Sequence, residues 1–182
     1  MNGILVVAAT KGEAAHVPKR YDTVITGIGK VAAAVAVTEA LAAYRPDARP
    51  TIVNIGTAGA LHSHHGGLYV PSTAVNHDIS SEILRSLGHP VQDVLELPDG
   101  DGTVLATGDA FVSDAEVRDA LAARADLVDM EGFAIAFAAA RMGAPCRLVK
   151  HVSDHADESA LDWPAQVDES ARILATWLTD RY

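Results

Sequence analysis

Short apolar runs alternate along the chain with longer stretches in which apolar residues recur at helical spacing. Short runs rich in Val and Ile are typical of buried strands, and a recurrence every three or four residues is typical of amphipathic helices. The pattern predicts strands at residues 4–9, 22–26, 51–55, 68–75, 103–107, 127–129 and 144–151, and helices at residues 28–44, 114–124, 130–142 and 164–181.

Glycine, proline and serine mark the ends of these elements. Gly27 and Gly29 stand at the start of the first long helix, Pro46 follows it, and Ser113 is predicted to cap the helix at residues 114–124. The segments predicted outside helices and strands include a glycine-containing turn at residues 56–59 and surface loops at residues 62–67 and 97–102.

Strands that alternate with helices indicate a layered α/β fold, in which helices cover both faces of a parallel sheet. We therefore predict a three-layer α/β/α sandwich with a mixed, largely parallel central sheet. The 182 residues suit one hydrophobic core, and they contain no internal repeat or linker. The prediction is a single domain over residues 1–182.

Charge and cysteine content narrow the classes of partner and compartment. The formal net charge of −10 disfavours nucleic acid and anionic membranes, because both are themselves negatively charged. No window approaches the roughly 20 apolar residues of a membrane helix, and the first residues carry no basic leader. Cys146 is the single cysteine, so a reducing compartment and a cytoplasmic location are expected.

Three acidic residues stand at predicted strand ends, where α/β proteins bind their ligands. Glu13 follows the first strand, Glu131 follows the short strand at residues 127–129, and Asp154 follows the strand at residues 144–151. One such acid is often only a favourable partner of a helix dipole. Three of them predict a site in which carboxyl groups act together.

Five segments share the sequence features of one known family. They are TGIGKVAAA at residues 26–34, IGTAGAL at 55–61, TGDAFV at 107–112, VDMEGFAIA at 128–136 and VSDHAD at 152–157. In this order they resemble the motifs of the nucleoside phosphorylase/nucleosidase superfamily, most closely those of the 5′-methylthioadenosine/S-adenosylhomocysteine nucleosidases. The resemblance implies an enzyme that cleaves the N-glycosidic bond of a purine nucleoside.

The resemblance also assigns chemistry to the three acids. Asp154 matches the acid that protonates N7 of the departing base, and Ser153 beside it is expected to orient the carboxyl group. Glu131 matches the carboxylate that binds the ribose hydroxyls and stabilises positive charge on the sugar. Glu13 matches the glutamate that positions and activates the attacking water.

Further positions are expected to bind substrate. By resemblance, Phe111 and Val112 hold the base, while Met130 packs on the sugar. Each candidate also has a structural alternative, such as a core position, a turn or a contact of the last helix. The substrate-binding candidates besides the acids and Ser153 are Met130, Phe111, Val112, Thr57, Trp163 at the 5′ side and His77 at the rim.

Neither a metal nor a cofactor is predicted. His62, His64 and His65 share one loop, but no second ligand cluster stands at metal spacing. Residues 27–30 are too short a match for a P-loop or dinucleotide fingerprint. Lys30 is accordingly expected to be a solvated helix residue.

Hydrolysis is predicted over phosphorolysis. Phosphorylases of the superfamily hold phosphate with arginines, and neither residues 8–13 nor residues 52–59 contain one. Glu13 would repel phosphate, whereas Lys11 keeps phosphorolysis open. The predicted reaction is hydrolysis of a methylthioadenosine- or S-adenosylhomocysteine-like nucleoside in methionine salvage. The alternatives are a phosphate-dependent purine nucleoside phosphorylase, a futalosine-type hydrolase and a non-catalytic nucleoside-binding protein.

The resemblance also bears on assembly and on the surroundings of the site. A homodimer is predicted from the family likeness and from apolar surface on the helix at residues 31–41. Only residues 14–20 separate Glu13 from the next strand, where relatives carry a longer helix and a hairpin. Lys150 stands where close relatives carry an arginine, and Gly132 with Phe133 is a bulkier pair than is common.

Overall fold

The computed structural model describes residues 3–182, except for the side chains of residues 159 and 164. No helix in these residues is long and apolar enough to cross a membrane. The strands are β1 (Ile4–Ala8), β2 (Thr23–Ile25), β3 (Thr51–Ala60), β4 (Leu68–Tyr69), β5 (Thr73–Asn76), β6 (Val94–Glu96), β7 (Val104–Thr107), β8 (Leu127–Asp129) and β9 (Cys146–Asp154). The helices are α1 (Lys30–Ala42), α2 (Ser81–Ser86), α3 (Ala115–Ala122), α4 (Gly132–Arg141) and α5 (Trp163–Arg181), with 3₁₀ turns at Pro46–Ala48 and Glu158–Asp162.

The strands form one mixed sheet. Its order is β2-β1-β3-β8-β7-β5-β6, while β9 pairs with both β3 and β4. The pairs β1–β2, β1–β3, β3–β9, β5–β7 and β7–β8 are parallel. The pairs β3–β8, β4–β9 and β5–β6 are antiparallel. The prediction of a mixed, largely parallel sheet is therefore confirmed.

Helices cover both faces of this sheet, as the predicted three-layer arrangement requires. On one face α1 and α4 pack together and bury Leu41 and Ile135 completely. On the other face α5 buries Leu174 and Leu178 against β3 and β9. Full burial of one such side chain stabilises the folded state by about 1.5–3 kcal/mol, so these clusters fix the helices to the sheet.

The structure corrects several predicted elements. The strand predicted at residues 68–75 is two strands, because Pro71 lies between β4 and β5 and offers no N–H to a ladder. The cap of α3 is Asp114 rather than Ser113, since the Asp114 carboxylate accepts hydrogen bonds from two backbone N–H groups of the first turn. Helix α2 and strand β6 are not predicted, because both are too short to show a clear period.

Two strands run further than predicted, and both extensions reach the same region. The predicted turn at residues 56–59 is wrong because β3 continues through it, and β9 continues to Asp154. The glycines of β3 allow close approach rather than a turn. A Cβ on Gly56 would lie 3.1 Å from Oε1 of Glu13, and one on Gly59 would lie 3.0 Å from Oδ1 of Asp154.

Candidate active site

One pocket lies beside the ends of β1, β3, β8 and β9 and the loop after β7. It is open to solvent, and its lining combines apolar residues with a few polar groups, as is usual for small-molecule sites. Every predicted site residue except His77 lines it, and none of the described lining residues is Lys or Arg. The lining consists of Ala9, Thr10, Glu13, Ile28, Thr57, Ala58, Gly59, Ala110, Phe111, Val112, Val128, Asp129, Met130, Glu131, Ser153, Asp154 and Trp163.

Glu13 is buried, and four donors hold its carboxylate. Oε1 accepts hydrogen bonds from the backbone N–H of Thr57 at 2.9 Å and from its hydroxyl at 3.1 Å. Oε2 accepts hydrogen bonds from the backbone N–H and the hydroxyl of Thr10, both at 3.0 Å. An ionised carboxylate has about four acceptor positions, so these donors occupy them all and fix the plane of the group.

Helix α5 supports this carboxylate through Thr57, and it also contacts the segment that follows Glu13. The indole N–H of Trp163 donates to Oγ1 of Thr57 at 2.8 Å, so the Thr57 hydroxyl is left to donate its own proton to Glu13. The Trp163 ring lines the pocket at the same time. His16, three residues after Glu13, hydrogen-bonds to Asp168 of α5 at 2.7 Å. A shift of the first turns of α5 would therefore change the position of Glu13.

Glu131 lies at the N-terminus of α4, two residues after the end of β8. Its Oε1 accepts a hydrogen bond from the backbone N–H of Gly29 at 2.8 Å, which joins it to the turn before α1. Burial, together with the charge of Asp129, raises the pKa of Glu131 to about 7, although the ammonium of Lys150 opposes the rise. Near neutral pH this carboxyl group therefore lies close to its titration midpoint.

A buried ion pair supports the segment that carries Glu131. Lys150 on β9 is 1 % exposed, and its Nζ lies 2.8 Å from Oδ2 of Asp129. The same oxygen accepts the N–H of Gly132 at 2.8 Å, and Oδ1 accepts the hydroxyl of Thr107 at 2.6 Å. Burial acts to lower the pKa of Lys150, but the surrounding carboxylates outweigh it and raise the pKa.

Sequence reasoning did not find this network. Lys150 stands out only as a departure from the family, and Asp129 and Thr107 appear only as members of the matching segments at residues 128–136 and 107–112. The available signal is a lysine between apolar residues of a strand, because a buried lysine requires an anionic partner. Gly132 also belongs to the network, since a Cβ there would lie 2.6 Å from Cδ2 of Leu105 and 2.9 Å from Oδ2 of Asp129.

Asp154 ends β9 with both carboxyl oxygens held. The hydroxyl of Ser153 donates to Oδ2 at 2.7 Å, and the backbone N–H of Ala156 donates to Oδ1 at 2.9 Å. Ala156 makes this bond with a φ of 51°, a left-handed conformation that costs energy for a residue with a Cβ. Gly59 on β3 leaves the space into which this turn packs. The Asp154 carboxyl group is thereby fixed in the pocket wall.

Apolar side chains form much of the remaining wall. Ile28 and Phe111 are 59 % and 51 % exposed, so each presents a broad apolar surface. Val112 also packs in a core cluster with Leu121, which gives it a structural role as well as a place in the lining. Met130 completes this side, next to Glu131. An apolar wall facing three acids suits a flat heterocycle joined to a polar sugar.

The structure does not bring His77 into the pocket lining. Its ring packs against Gly108, where a Cβ would lie 2.2 Å from Nε2, and burial lowers the pKa of the ring. Lys30 differs from the solvated residue that the sequence predicts. Its Nζ donates to Oδ1 of Asn76 at 2.9 Å and pairs with Asp78. Lys30 therefore ties the start of α1 to the end of β5.

The histidine loop also has partners in the protein. The rings of His62, His64 and His65 lie with their centroids 4.3 to 5.4 Å apart. Ring nitrogens of His62 and His65 contact the carbonyl oxygens of Ala125 and Asp126. Within the described part of the chain, no group of three His, Cys, Asp or Glu side chains is placed to hold a metal ion.

Comparison of the sequence with known proteins gives consistent matches. The sequence model of the phosphorylase superfamily matches residues 6–101 and 100–179. An aminodeoxyfutalosine nucleosidase of Helicobacter pylori is 33 % identical over 113 residues, which cover 60 % of this chain and 48 % of that protein. A 5′-methylthioadenosine/S-adenosylhomocysteine nucleosidase of Chromohalobacter salexigens is 29 % identical over 80 % of this chain and 72 % of its own. The chain thus spans about half the length of the first of these relatives.

Solved structures share the fold over almost the whole chain. A mutant Helicobacter pylori MTAN with 5′-methylthioadenosine in its active site superposes with a TM-score of 0.84 at 22 % identity, covering 99 % of this chain and 97 % of that chain. The 5′-methylthioadenosine/S-adenosylhomocysteine nucleosidase of Streptococcus pneumoniae with a transition-state inhibitor gives 0.79 at 23 % identity, with 97 % and 96 % covered. At these identities the superpositions establish the fold.

Proposed function

The chain belongs to the phosphorylase superfamily, and on that premise we propose that it is a purine nucleosidase. It hydrolyses the N-glycosidic bond of an adenine-type nucleoside related to methylthioadenosine or S-adenosylhomocysteine, and it releases the free base and the sugar. One observation carries the proposal. Glu13, Glu131 and Asp154 line one pocket whose described lining contains no Lys or Arg.

Asp154 is the general acid. Departure of the purine leaves negative charge on the base, and a proton delivered to N7 removes that charge. The contacts from Ser153 and Ala156 hold the Asp154 carboxyl group in one orientation while the base packs against Phe111 and Val112. A positioned acid of this kind contributes about 10²–10⁴-fold to the rate.

Glu131 acts on the sugar. In its ionised form it accepts hydrogen bonds from the ribose hydroxyls, and its charge stabilises the oxocarbenium character that develops as the base leaves. Met130 packs beside it against the ribose. Because burial raises the pKa of Glu131 to about 7, activity falls as the pH drops through this value and the carboxylate takes up a proton.

Glu13 positions the attacking water and receives its proton. Its four acceptor positions are already occupied by donors from Thr10 and Thr57. The two backbone donors are fixed, whereas a threonine hydroxyl rotates about its Cβ–O bond. When water binds to Glu13, one of the two hydroxyls therefore rotates away and leaves an acceptor position for the water. Trp163 restrains the hydroxyl of Thr57 by donating a hydrogen bond to its oxygen.

The charges of the pocket favour water over phosphate as the nucleophile. The carboxylates of Glu13 and Glu131 would repel a phosphate dianion. The buried or nearly buried cations close to the pocket are already paired, Lys150 with Asp129 and Lys30 with Asp78. Lys11 is exposed to solvent beside the pocket-lining Thr10, and phosphorolysis through Lys11 is the alternative that the assay below tests.

The 5′ substituent separates two candidate substrate classes. Relatives named 5′-methylthioadenosine/S-adenosylhomocysteine nucleosidase support a thioether at this position. The relative named aminodeoxyfutalosine nucleosidase supports a second candidate, an aminodeoxyfutalosine-type nucleoside. Both contain adenine, so the leaving group and the roles of the three acids are the same.

The test is release of free base from a substrate panel, measured with and without phosphate. The panel contains methylthioadenosine, adenosylhomocysteine, deoxyadenosine, inosine and aminodeoxyfutalosine, with Asp154→Asn protein, prepared in the same way, as the control for contaminating activity. We expect adenine from one or more of the adenine nucleosides and a much lower rate with the control. Release from none of them at any phosphate concentration would overturn the proposal in favour of a binding protein.

We further propose a homodimer, a cytoplasmic location and a role in methionine salvage. Val31 and Val35 on α1 are 76 % and 51 % exposed, which is unusual for apolar residues in adjacent turns of one helix face. Ile28, which lines the pocket, is 59 % exposed just before this helix. A partner that covers this surface would bury the apolar residues beside the pocket mouth.

A further inference from the structure

Lys150 is the fully buried cation nearest to the candidate site, and the reaction as described makes no use of it. It is 1 % exposed, and its Nζ lies 2.8 Å from Oδ2 of Asp129. Glycine makes room for it on the neighbouring strand. A Cβ on Gly56 would lie 3.2 Å from Nζ of Lys150 and 3.1 Å from Oε1 of Glu13. The ammonium group therefore approaches the same point of β3 as the Glu13 carboxylate.

The cluster around this ammonium contains more acids than bases. Glu131 faces the charges of Asp129 on β8, Lys150 on β9 and Glu13 after β1, together with the backbone N–H of Gly29 before α1. Lys150 is the single cation in this set. When all three carboxyl groups are ionised, this buried set of four side chains carries a net negative charge. That charge opposes ionisation of the last of the three carboxyl groups to lose its proton.

We propose that Lys150 is a positioning residue whose buried ammonium, held on Asp129, keeps the Glu131 carboxylate ionised for the ribose. This inference rests on the proposed function of the pocket. Asp129 anchors the lysine and also holds the start of α4 through the N–H of Gly132. One ion pair therefore sets both the place of Glu131 and its charge.

Burial and Asp129 raise the pKa of Glu131, and Lys150 lowers it. Two substitutions within the same ion pair therefore have opposite effects. Lys150→Met removes the favourable charge and raises the pKa of Glu131. Asp129→Asn removes the unfavourable charge and lowers that pKa. If the ion pair served only to stabilise the fold, both substitutions would reduce activity and neither would change the pKa of Glu131.

The experiment is the pH profile of kcat/KM for hydrolysis of methylthioadenosine by the whole protein. We expect the acid limb to move to higher pH in Lys150→Met and to lower pH in Asp129→Asn, each by roughly one pH unit. Lys150→Arg keeps the charge and should keep the wild-type midpoint. Unchanged midpoints in both neutralising variants, or shifts in the same direction, would overturn the inference.

A second readout does not depend on turnover. Carbon-13 labelling of the Glu carboxyl groups gives the titration of Glu131 in the substrate-free protein, with the spectrum of Glu131→Gln to assign the signal. If Lys150→Met does not fold, the Lys150→Met and Asp129→Asn double variant removes both charges and should titrate near the wild type. Opposite shifts without any hydrolysis would reject the proposed function and support the electrostatic role. Hydrolysis together with an unchanged titration of Glu131 would support the proposed function and reject the electrostatic role of Lys150.

Discussion

At the scale of the residue, the candidate site gives three carboxyl groups three different surroundings. Glu13 receives four hydrogen bonds. Glu131 receives one from a backbone N–H and is subject to nearby charges. Asp154 receives one from a hydroxyl and one from a backbone N–H. Different surroundings allow chemically similar groups to take different roles at one pH, so each substitution should have its own signature.

Replacement of Asp154 by Asn tests the general acid. Asn keeps the shape and can still hydrogen-bond to the base, but it has no proton to deliver to N7. We expect kcat for an adenine nucleoside to fall by about 10²–10⁴-fold while product binding and the melting temperature stay close to wild type. Ser153→Ala, which keeps the acid and removes its hydroxyl partner, should lose much less. Near-normal turnover in Asp154→Asn would rule out this mechanism.

Replacement of Glu131 by Gln tests the cost of its burial. A carboxyl group with a raised pKa contributes stability that is present below its unfolded pKa, near 4.5, and is lost as the pH rises through about 7. Gln does not ionise. We therefore expect Glu131→Gln to be more stable than wild type by about 3 kcal/mol at pH 8, with no gain at pH 4. Urea unfolding at both pH values measures the difference, and an equal effect at the two would contradict the assignment.

The same variant should lose function as it gains stability. Without the carboxylate charge, the ribose is bound more weakly and the positive charge that develops on the sugar is no longer stabilised. We expect KM to rise and kcat to fall, whereas Asp154→Asn affects mainly kcat. A variant that became more stable and kept full activity would show that Glu131 has no role in the reaction.

At the scale of the element, β3 is the strand on which the site is assembled. Its glycines let Glu13 and Asp154 approach the backbone. In Gly59→Ala the new Cβ would lie 3.0 Å from both Oδ1 of Asp154 and Cβ of Ala156, so the acid must shift. The shift required is a few tenths of an ångström. Since misplacement by about 1 Å costs up to about 10²-fold in rate, we expect kcat to fall by less than this, with the fold retained. Gly66→Ala, where a Cβ meets nothing within 4 Å, is the control and should be neutral.

The outcome for β3 shows what the sequence pattern can and cannot predict about elements. The predicted strands at residues 4–9, 103–107 and 127–129 match β1, β7 and β8 because their apolar runs are short and bounded by polar residues. At residues 56–59 two glycines favour a turn on local propensity. Pairing with strand β9 overrides that preference. Thr57 pairs with His151, which is distant in the sequence, so a local sequence pattern cannot predict the pairing.

In the candidate site, too, some features could be predicted from the sequence and others could not. Glu13, Glu131 and Asp154 could be predicted because each follows a predicted strand, and Glu131 and Asp154 also lie within recognisable motifs. The ion pair of Lys150 with Asp129 could not, because the two residues lie on β9 and β8, which are not neighbours in the sheet. His77 resembles a family position at the rim of the site, but its side chain packs against Gly108 instead of lining the pocket.

At the scale of the whole molecule, the exposed face of α1 is the surface on which the proposed homodimer rests. Val31→Asp places a charge where the partner would bury an apolar side chain, so we expect monomers at micromolar concentration in sedimentation velocity. Val117→Asp is the matched control, since Val117 on α3 is 48 % exposed and lies on a different surface. A wild-type protein that sediments as a monomer, or a Val31→Asp protein that stays dimeric, would contradict the proposed interface.

The central claim is that water, rather than phosphate, attacks the anomeric carbon in this pocket. The direct measurement is turnover of methylthioadenosine or another accepted adenine nucleoside in oxygen-18 water, with and without phosphate, followed by mass analysis of the sugar. We predict the same rate in both conditions and a free sugar that carries oxygen-18 on its anomeric carbon when quenched before exchange. A reaction that requires phosphate and yields the sugar 1-phosphate would contradict the account.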